Sequence, residues 1–325
     1  MFPFTERLYK SAFAGIRGVV VSSYPLVVGG SVILCLVVIL NLAFFARAML
    51  AAPDWIQVQY TPDDAYYYLV LARNFTELGS WTFDSGQTLT TGFHPLHAYL
   101  LAMVSIITQP DPGQFVQLGL LLSAAITMLA VGSGLLVAYR LREPIVVLVL
   151  ALVASSQNVV FNSVSIVEWP LVVLISGLYF ICLYRGLRTG HRRSVVLLFL
   201  LGVAGSLARS DFGLLPLSMF LATVYVGRLS RSYAGVRPAL AGLLGATTGV
   251  AAVLAHNYLF TGQFLPSSAL VKAHWATFIP DIVPVISTFS PDLLRITSPG
   301  SKRAIVWVAV PLLLALGVRL SRSCR

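Results

Sequence analysis

Charge is what this chain has least of. Only 10% of its 325 residues are charged, against about 25% in an ordinary soluble domain. A water-soluble globule is excluded, because the 57% of apolar residues cannot all be hidden inside 35.1 kDa. Disorder is excluded on the same ground. Cysteine is scarce too. Cys35, Cys182 and Cys324 show neither metal-ligand spacing nor a disulfide framework. The alternating apolar and polar pattern of an outer-membrane barrel is missing. A phosphate-cradling P-loop and a Gly-rich dinucleotide fingerprint are missing as well, so no seat for a nucleotide is visible.

What the chain does have is long apolar stretches, with a mean hydropathy of +0.84. They cover roughly 24–46, 95–108, 115–139, 145–160, 169–184, 194–208, 212–227, 239–259 and 304–320. A helix needs about 20 residues to cross a hydrocarbon layer of about 30 Å. The run 95–108 is short, follows a polar loop and ends at Gln109-Pro110-Asp111-Pro112, so it reads as an interfacial segment. Charge supports that choice. If 95–108 does not cross and the N-terminus is cytoplasmic, the inner loops gather most of the 22 basic residues, with only Glu6 and Glu143 among the acids. This is the positive-inside pattern, and it accounts for the net charge of +10 without nucleic acid. The basic segment at the start leads into a run too long for a signal-peptide core, with no A-x-A site after it, and reads as a retained anchor.

The expected fold is therefore all-α: a polytopic bundle of about eight spans in the plasma (inner) membrane, both termini cytoplasmic. It forms one domain over 1–325. Its first extracytoplasmic loop, 47–114, carries interfacial helices, and its last covers 260–303. Nearly every acidic residue falls on the outer side.

The first outer loop is the most informative stretch. In Tyr60-Thr61-Pro62-Asp63-Asp64-Ala65-Tyr66-Tyr67-Tyr68, Thr61 suits a helix cap, Pro62 the first turn, and Asp63 and Asp64 the positive end of the helix dipole. The helix should stop at Gly79 and lay Tyr67, Val70 or Leu71, and Asn74 against the membrane surface. Asp63 and Asp64 are either a helix cap or an acid pair whose proton affinity is raised by low-dielectric surroundings, as a general base requires. Asn74-Phe75-Thr76 fits a glycosylation sequon, a signal that matters only in a eukaryote. His94 precedes a helix that Pro95 opens, and it is either structural or part of a site.

Polar residues further along have paired readings. Glu168, at the outer start of a span, lies in headgroup water or serves function. Arg209 and Asp211 pair with each other, or Arg209 faces an anionic phosphate, which a guanidinium can bind bidentately. Lys272 is solvated, or neutralises a phosphate as a point charge.

Taken in order, Asp63-Asp64 before a tyrosine-rich helix, Gly79-Ser80-Trp81, Gly92-Phe93-His94-Pro95-Leu96, Glu168, Arg209 with Asp211, and Gly262 followed by Leu265-Pro266 and Lys272 resemble the GT-C glycosyltransferases. These multi-span enzymes take sugar from a polyprenyl-phosphate donor, and the class includes aminoarabinose, mannosyl and arabinofuranosyl transferases. The match covers residues 54 to about 275. It departs where the class often reads Gly-Met-Glu-Thr, Arg-Pro-Asp-Gly and Leu-Pro-Asn-Thr, and in having fewer spans after the last loop, as a shortened member would.

The resemblance implies inverting transfer to an envelope glycan, lipid or protein hydroxyl. Asp63 would be general base with Asp64 as its acidic neighbour. His94, Glu168, Arg209, Asp211 and Lys272 would bind substrate. No cofactor is required. A divalent cation at the carboxylates has no ligand spacing to support it, and no metal ligand is assigned. The other readings are a transporter or flippase of lipid-linked sugars, or an inactive scaffold. Polar residues gathered at one face, with no internal repeat, favour the enzyme.

Overall fold

The computed structural model describes residues 24–51, 61–141, 165–189, 192–230 and 235–268. They are all-helical. In chain order the helices are α1 (Tyr24–Leu50), α2 (Asp63–Leu78), α3 (Pro95–Thr108), α4 (Pro112–Leu141), α5 (Trp169–Thr189), α6 (Arg192–Ala208), α7 (Leu214–Ser230) and α8 (Val236–Thr261), with a short 3-10 turn at Ser210–Gly213 before α7.

Four segments among the described residues are long and apolar enough to cross a membrane: Pro112–Gly134, Trp169–Leu187, Ser210–Leu229 and Val236–Thr261. That marks the chain as a membrane protein. The runs 145–160 and 304–320, counted above as spans, lie outside the described residues, as do most of the last outer loop and the N-terminal segment. The run 194–208 forms α6, whose 17 residues fall short of the four longer segments. The run 95–108 forms α3 with the bounds expected, beginning at Pro95.

The chain divides into two compact units. The first contains the described residues up to Glu77 and those from His97 to Ile181; the second contains Leu78 to Leu96 and the described residues from Cys182 onward.

In the first unit, α1 packs on α4. Gly119 of α4 meets the Ile166 side chain, where an added Cβ would come within 2.9 Å. The amphipathic helix α2 buries Ala65, Tyr68, Leu69, Leu71 and Ala72 and leaves Tyr67 and Val70 exposed. The exposed stripe is thus Tyr67 and Val70 with half-buried Asn74, while Leu71 turns inward. Among the contacts that tie α2 to α3, Thr76 and Ser105 share a hydroxyl hydrogen bond at 3.2 Å, and Phe75 meets Tyr99 edge to face.

In the second unit, α6 and α8 share the closest helix contact. Their interface is built from Gly202, Ser206, Gly242, Gly245, Ala246 and Gly249. An added Cβ at Gly202 would lie 2.7 Å from the Ala246 nitrogen, and one at Gly249 would lie 2.7 Å from Ser206 Cβ. Water gives no drive to helix association inside lipid, so close backbone approach through small residues supplies the van der Waals attraction instead. The contacts climb both helices in the same direction, from Phe199 against Gly245 to Val203 and Ser206 against Gly249, so α6 and α8 run parallel. Phe212 of the 3-10 turn is fully buried and fills the space beside Gly205.

Candidate functional site

The acidic pair stands where α2 begins. Asp63 and Asp64 occupy its first turn and are both exposed. The amide of Ala65 donates to the Pro62 carbonyl at 2.9 Å, closing the turn that carries them. Thr61 is buried, and its hydroxyl bonds the Tyr66 phenol. Burial pushes Tyr66 above its usual value; the Thr61 bond pulls the other way, and the negative charge of Asp63 adds to the rise. Tyr66 is therefore a neutral hydroxyl near the Asp63 carboxylate, a neighbour that the sequence reading did not single out.

Behind that turn the first unit buries a polar cluster. Glu168 is only 7% exposed, so it does not lie in headgroup water. Its carboxylate accepts a hydrogen bond from the Tyr68 hydroxyl at 3.1 Å. Its carbonyl accepts from the Val172 amide at 3.0 Å, which makes it the entry residue of α5. His97 is buried and meets the Tyr68 ring edge to face, with centroids 4.8 Å apart. Sequence reasoning chose His94 and passed over His97. The signal was the register of α3, where His97 shares the buried side with Ala98, Leu101, Ala102 and Ser105.

The second unit holds the remaining described candidates. His94 is half-buried, immediately before α3. The loop leading to it is pinned to the end of α8. Trp81 is fully buried and packs on Phe93 at 4.7 Å; His256 lies 5.8 Å from Phe93 and 4.7 Å from Phe260. The Thr91 amide donates to the Ser267 hydroxyl at 3.1 Å, and Asn257 Nδ2 donates to the Phe264 carbonyl at 3.1 Å. Loop residues 79–94 and residues 262–268 are thus joined at the end of α8.

Within the loop, Asp84 accepts from the Thr82 hydroxyl at 2.6 Å and from the Thr88 amide at 2.8 Å. Those bonds hold its carboxyl down to about 2.

Arg209 pairs with Asp211. Its Nε donates to both carboxylate oxygens, at 2.8 and 3.0 Å. The guanidinium side chain is 19% exposed and the carboxylate 46%. Lys272 lies outside the described residues.

The sites thus fall into two sets. Asp63, Asp64 and Glu168 belong to the first unit, and His94, Arg209 and Asp211 to the second. Among the described residues no group of three His, Cys, Asp or Glu side chains is placed to hold a metal ion. No protein family, curated protein or solved structure matches the chain.

Proposed function

We propose that the chain is a membrane glycosyltransferase that moves a sugar from a polyprenyl-phosphate donor to a hydroxyl of a cell-envelope acceptor. The observation that carries this reading is the exposed Asp63-Asp64 pair on the first turn of α2, an amphipathic helix anchored from behind by the Tyr68–Glu168 hydrogen bond. A general base must be reachable by substrate and held by something rigid, and this pair meets both conditions.

In the proposed reaction Asp63 takes the proton from the acceptor hydroxyl as its oxygen attacks the anomeric carbon. The new C–O bond forms on the face opposite the departing phosphate, so the centre inverts. The polyprenyl phosphate leaves with the bonding electron pair. A cationic side chain must offset the charge growing on that phosphate. Glu168 acts by holding α2 in place through Tyr68. The bundle has about eight spans, and the reactive face is extracytoplasmic.

The test is Asp63→Asn in the full chain, assayed for sugar transfer from a polyprenyl-phosphate sugar. Losing a general base should lower the rate by about 10²- to 10⁴-fold. Full activity in that variant removes the base assignment. A wild-type protein that moves lipid-linked sugar between leaflets without transferring it replaces the whole reading with transport.

A further inference from the structure

We infer that His97 is a positioning residue: it holds the start of α2, and with it Asp63, in the place the proposed reaction needs. The inference rests on the general-base reading of Asp63. Tyr68 is the side chain through which His97 works. The Tyr68 hydroxyl donates to Glu168 at 3.1 Å, and its ring meets the His97 imidazole at 4.8 Å and 88°. One residue of α2 is thereby gripped from two other helices, by the start of α5 at its hydroxyl and by α3 at its ring. The hydrogen bond fixes one atom, and the edge-to-face contact fixes the plane of the ring. Together they hold α2 against sliding and against turning about its own axis.

Position along the helix decides what this grip controls. Tyr68 follows Asp63 by five residues, about 7.5 Å at 1.5 Å per residue. Thr76, which shares a hydrogen bond with Ser105, follows Asp63 by thirteen, about 20 Å. Tyr68 and Thr76 are eight residues apart on α2, and their partners His97 and Ser105 are eight apart on α3. The two helices therefore run in the same direction, with one contact near the acids and the other near the far end. Helix ends are the first parts to open. A helix pinned only through Thr76 would leave Asp63 on its loose end, whereas Tyr68 pins it within a turn and a half of the acids.

The residue type at 97 points the same way. His97 is 1% exposed, and it shares the buried side of α3 with Ala98, Leu101, Ala102 and Ser105. Burying an imidazole carries a desolvation cost that a leucine would not have. A leucine would fill the space, but it has no flat ring to set the plane of Tyr68. Placement of this kind matters for a general base, because a shift of about 1 Å can lower a rate about 100-fold.

The experiment uses the full chain in detergent and reads two quantities. One is hydrogen exchange of the amides of residues 65–68. The other is steady-state transfer from whichever polyprenyl-phosphate mannose, aminoarabinose or arabinofuranose the wild type accepts. H97A should raise exchange at 65–68 about tenfold and change the amides of 74–78 far less. S105A should do the reverse. H97A should lower kcat by about 10- to 100-fold with the donor KM little changed, and S105A should leave kcat near wild type. H97F, which keeps a ring against Tyr68, should restore the exchange and most of kcat. Because His97 works through Tyr68, adding H97A to Y68A should lower kcat no further. Should H97A not fold, H97L replaces it with the same expectations. Wild-type exchange and kcat in H97A, equal loosening of 65–68 by S105A, H97F as damaging as H97A, or additive losses in the double variant each overturn the inference. Failure of the underlying reaction looks different. D63N at full activity, or a wild type that transfers no sugar, removes the reaction, and the exchange results still decide whether His97 holds the turn. An inactive D63N beside an H97A of wild-type exchange and rate removes His97 alone.

Discussion

The buried hydroxyl of Tyr68 and the carboxylate of Glu168 form a polar link inside the first unit. Glu168→Ala takes the acceptor from a buried hydroxyl, which costs about 1–3 kcal/mol. Glu168→Gln keeps an acceptor and should cost less. Unfolding in detergent of both variants, with Tyr68→Phe completing a double-mutant cycle, measures the coupling. Asp84 gives a prediction in pH. Its folded-state value is about 2, below the usual 3.8, so the order its carboxylate confers on the loop is complete above about 3.8. That order is lost as pH falls through about 2. The protection of the Thr88 amide, measured against its intrinsic exchange rate, should fall across that window as Asp84 ceases to accept its hydrogen bond, and in Asp84→Asn it should already be lower at neutral pH. Single residues were the hardest part to read from sequence. Asp63 and Asp64 were found because acids are rare and mark a helix start. His97 was missed because a histidine in an apolar helix looks like its neighbours until the buried side is known. Tyr66 was hidden among three consecutive tyrosines.

Element boundaries were far more legible, because they rest on local chemistry. Helix α2 ends at Leu78 and Gly79 follows with φ of 71°, the left-handed conformation that glycine adopts without penalty. Gly79→Ala should therefore destabilise the loop by about 1 kcal/mol, seen as faster proteolysis between 79 and 94. Pro95 and Gln109 bracket α3 as expected. Contacts between elements were not legible. Nothing in the residue pattern says that α6 and α8 are parallel partners, since their small residues read equally well as tolerated glycines in two separate spans. Gly245→Val tests the contact. Its side chain would enter the Phe199 backbone, and overpacking of that kind costs about 1–3 kcal/mol or more. Gly132→Val in α4, where an added Cβ meets nothing within 4 Å, should be close to neutral in the same unfolding assay.

Across the whole molecule, composition settled the class: a chain this poor in charge is helical and membrane-bound. It did not settle which residues gather. Arg209 was read as a phosphate ligand or as the partner of Asp211, and the ion pair is present. The second unit has a clear polarity, with its exposed arginines at one end of α6 and α8 and its two described carboxylates at the other. In a membrane these ends should face opposite compartments. Single cysteines at Ser85 and at Arg192, placed in a chain lacking Cys35, Cys182 and Cys324, should react with a membrane-impermeant maleimide from opposite sides of sealed vesicles. Reaction of both from the same side contradicts a unit that crosses the bilayer. The seam of Gly202, Gly245 and Gly249 has a consequence for inheritance as well. Exposed positions such as Leu200 and Leu244 can trade one greasy side chain for another, whereas the seam cannot accept one extra carbon. A saturation scan for surviving variants should therefore show two matching tracks of intolerance some forty positions apart, rising in step, and their common direction would reveal the alignment of the two rods without any coordinates.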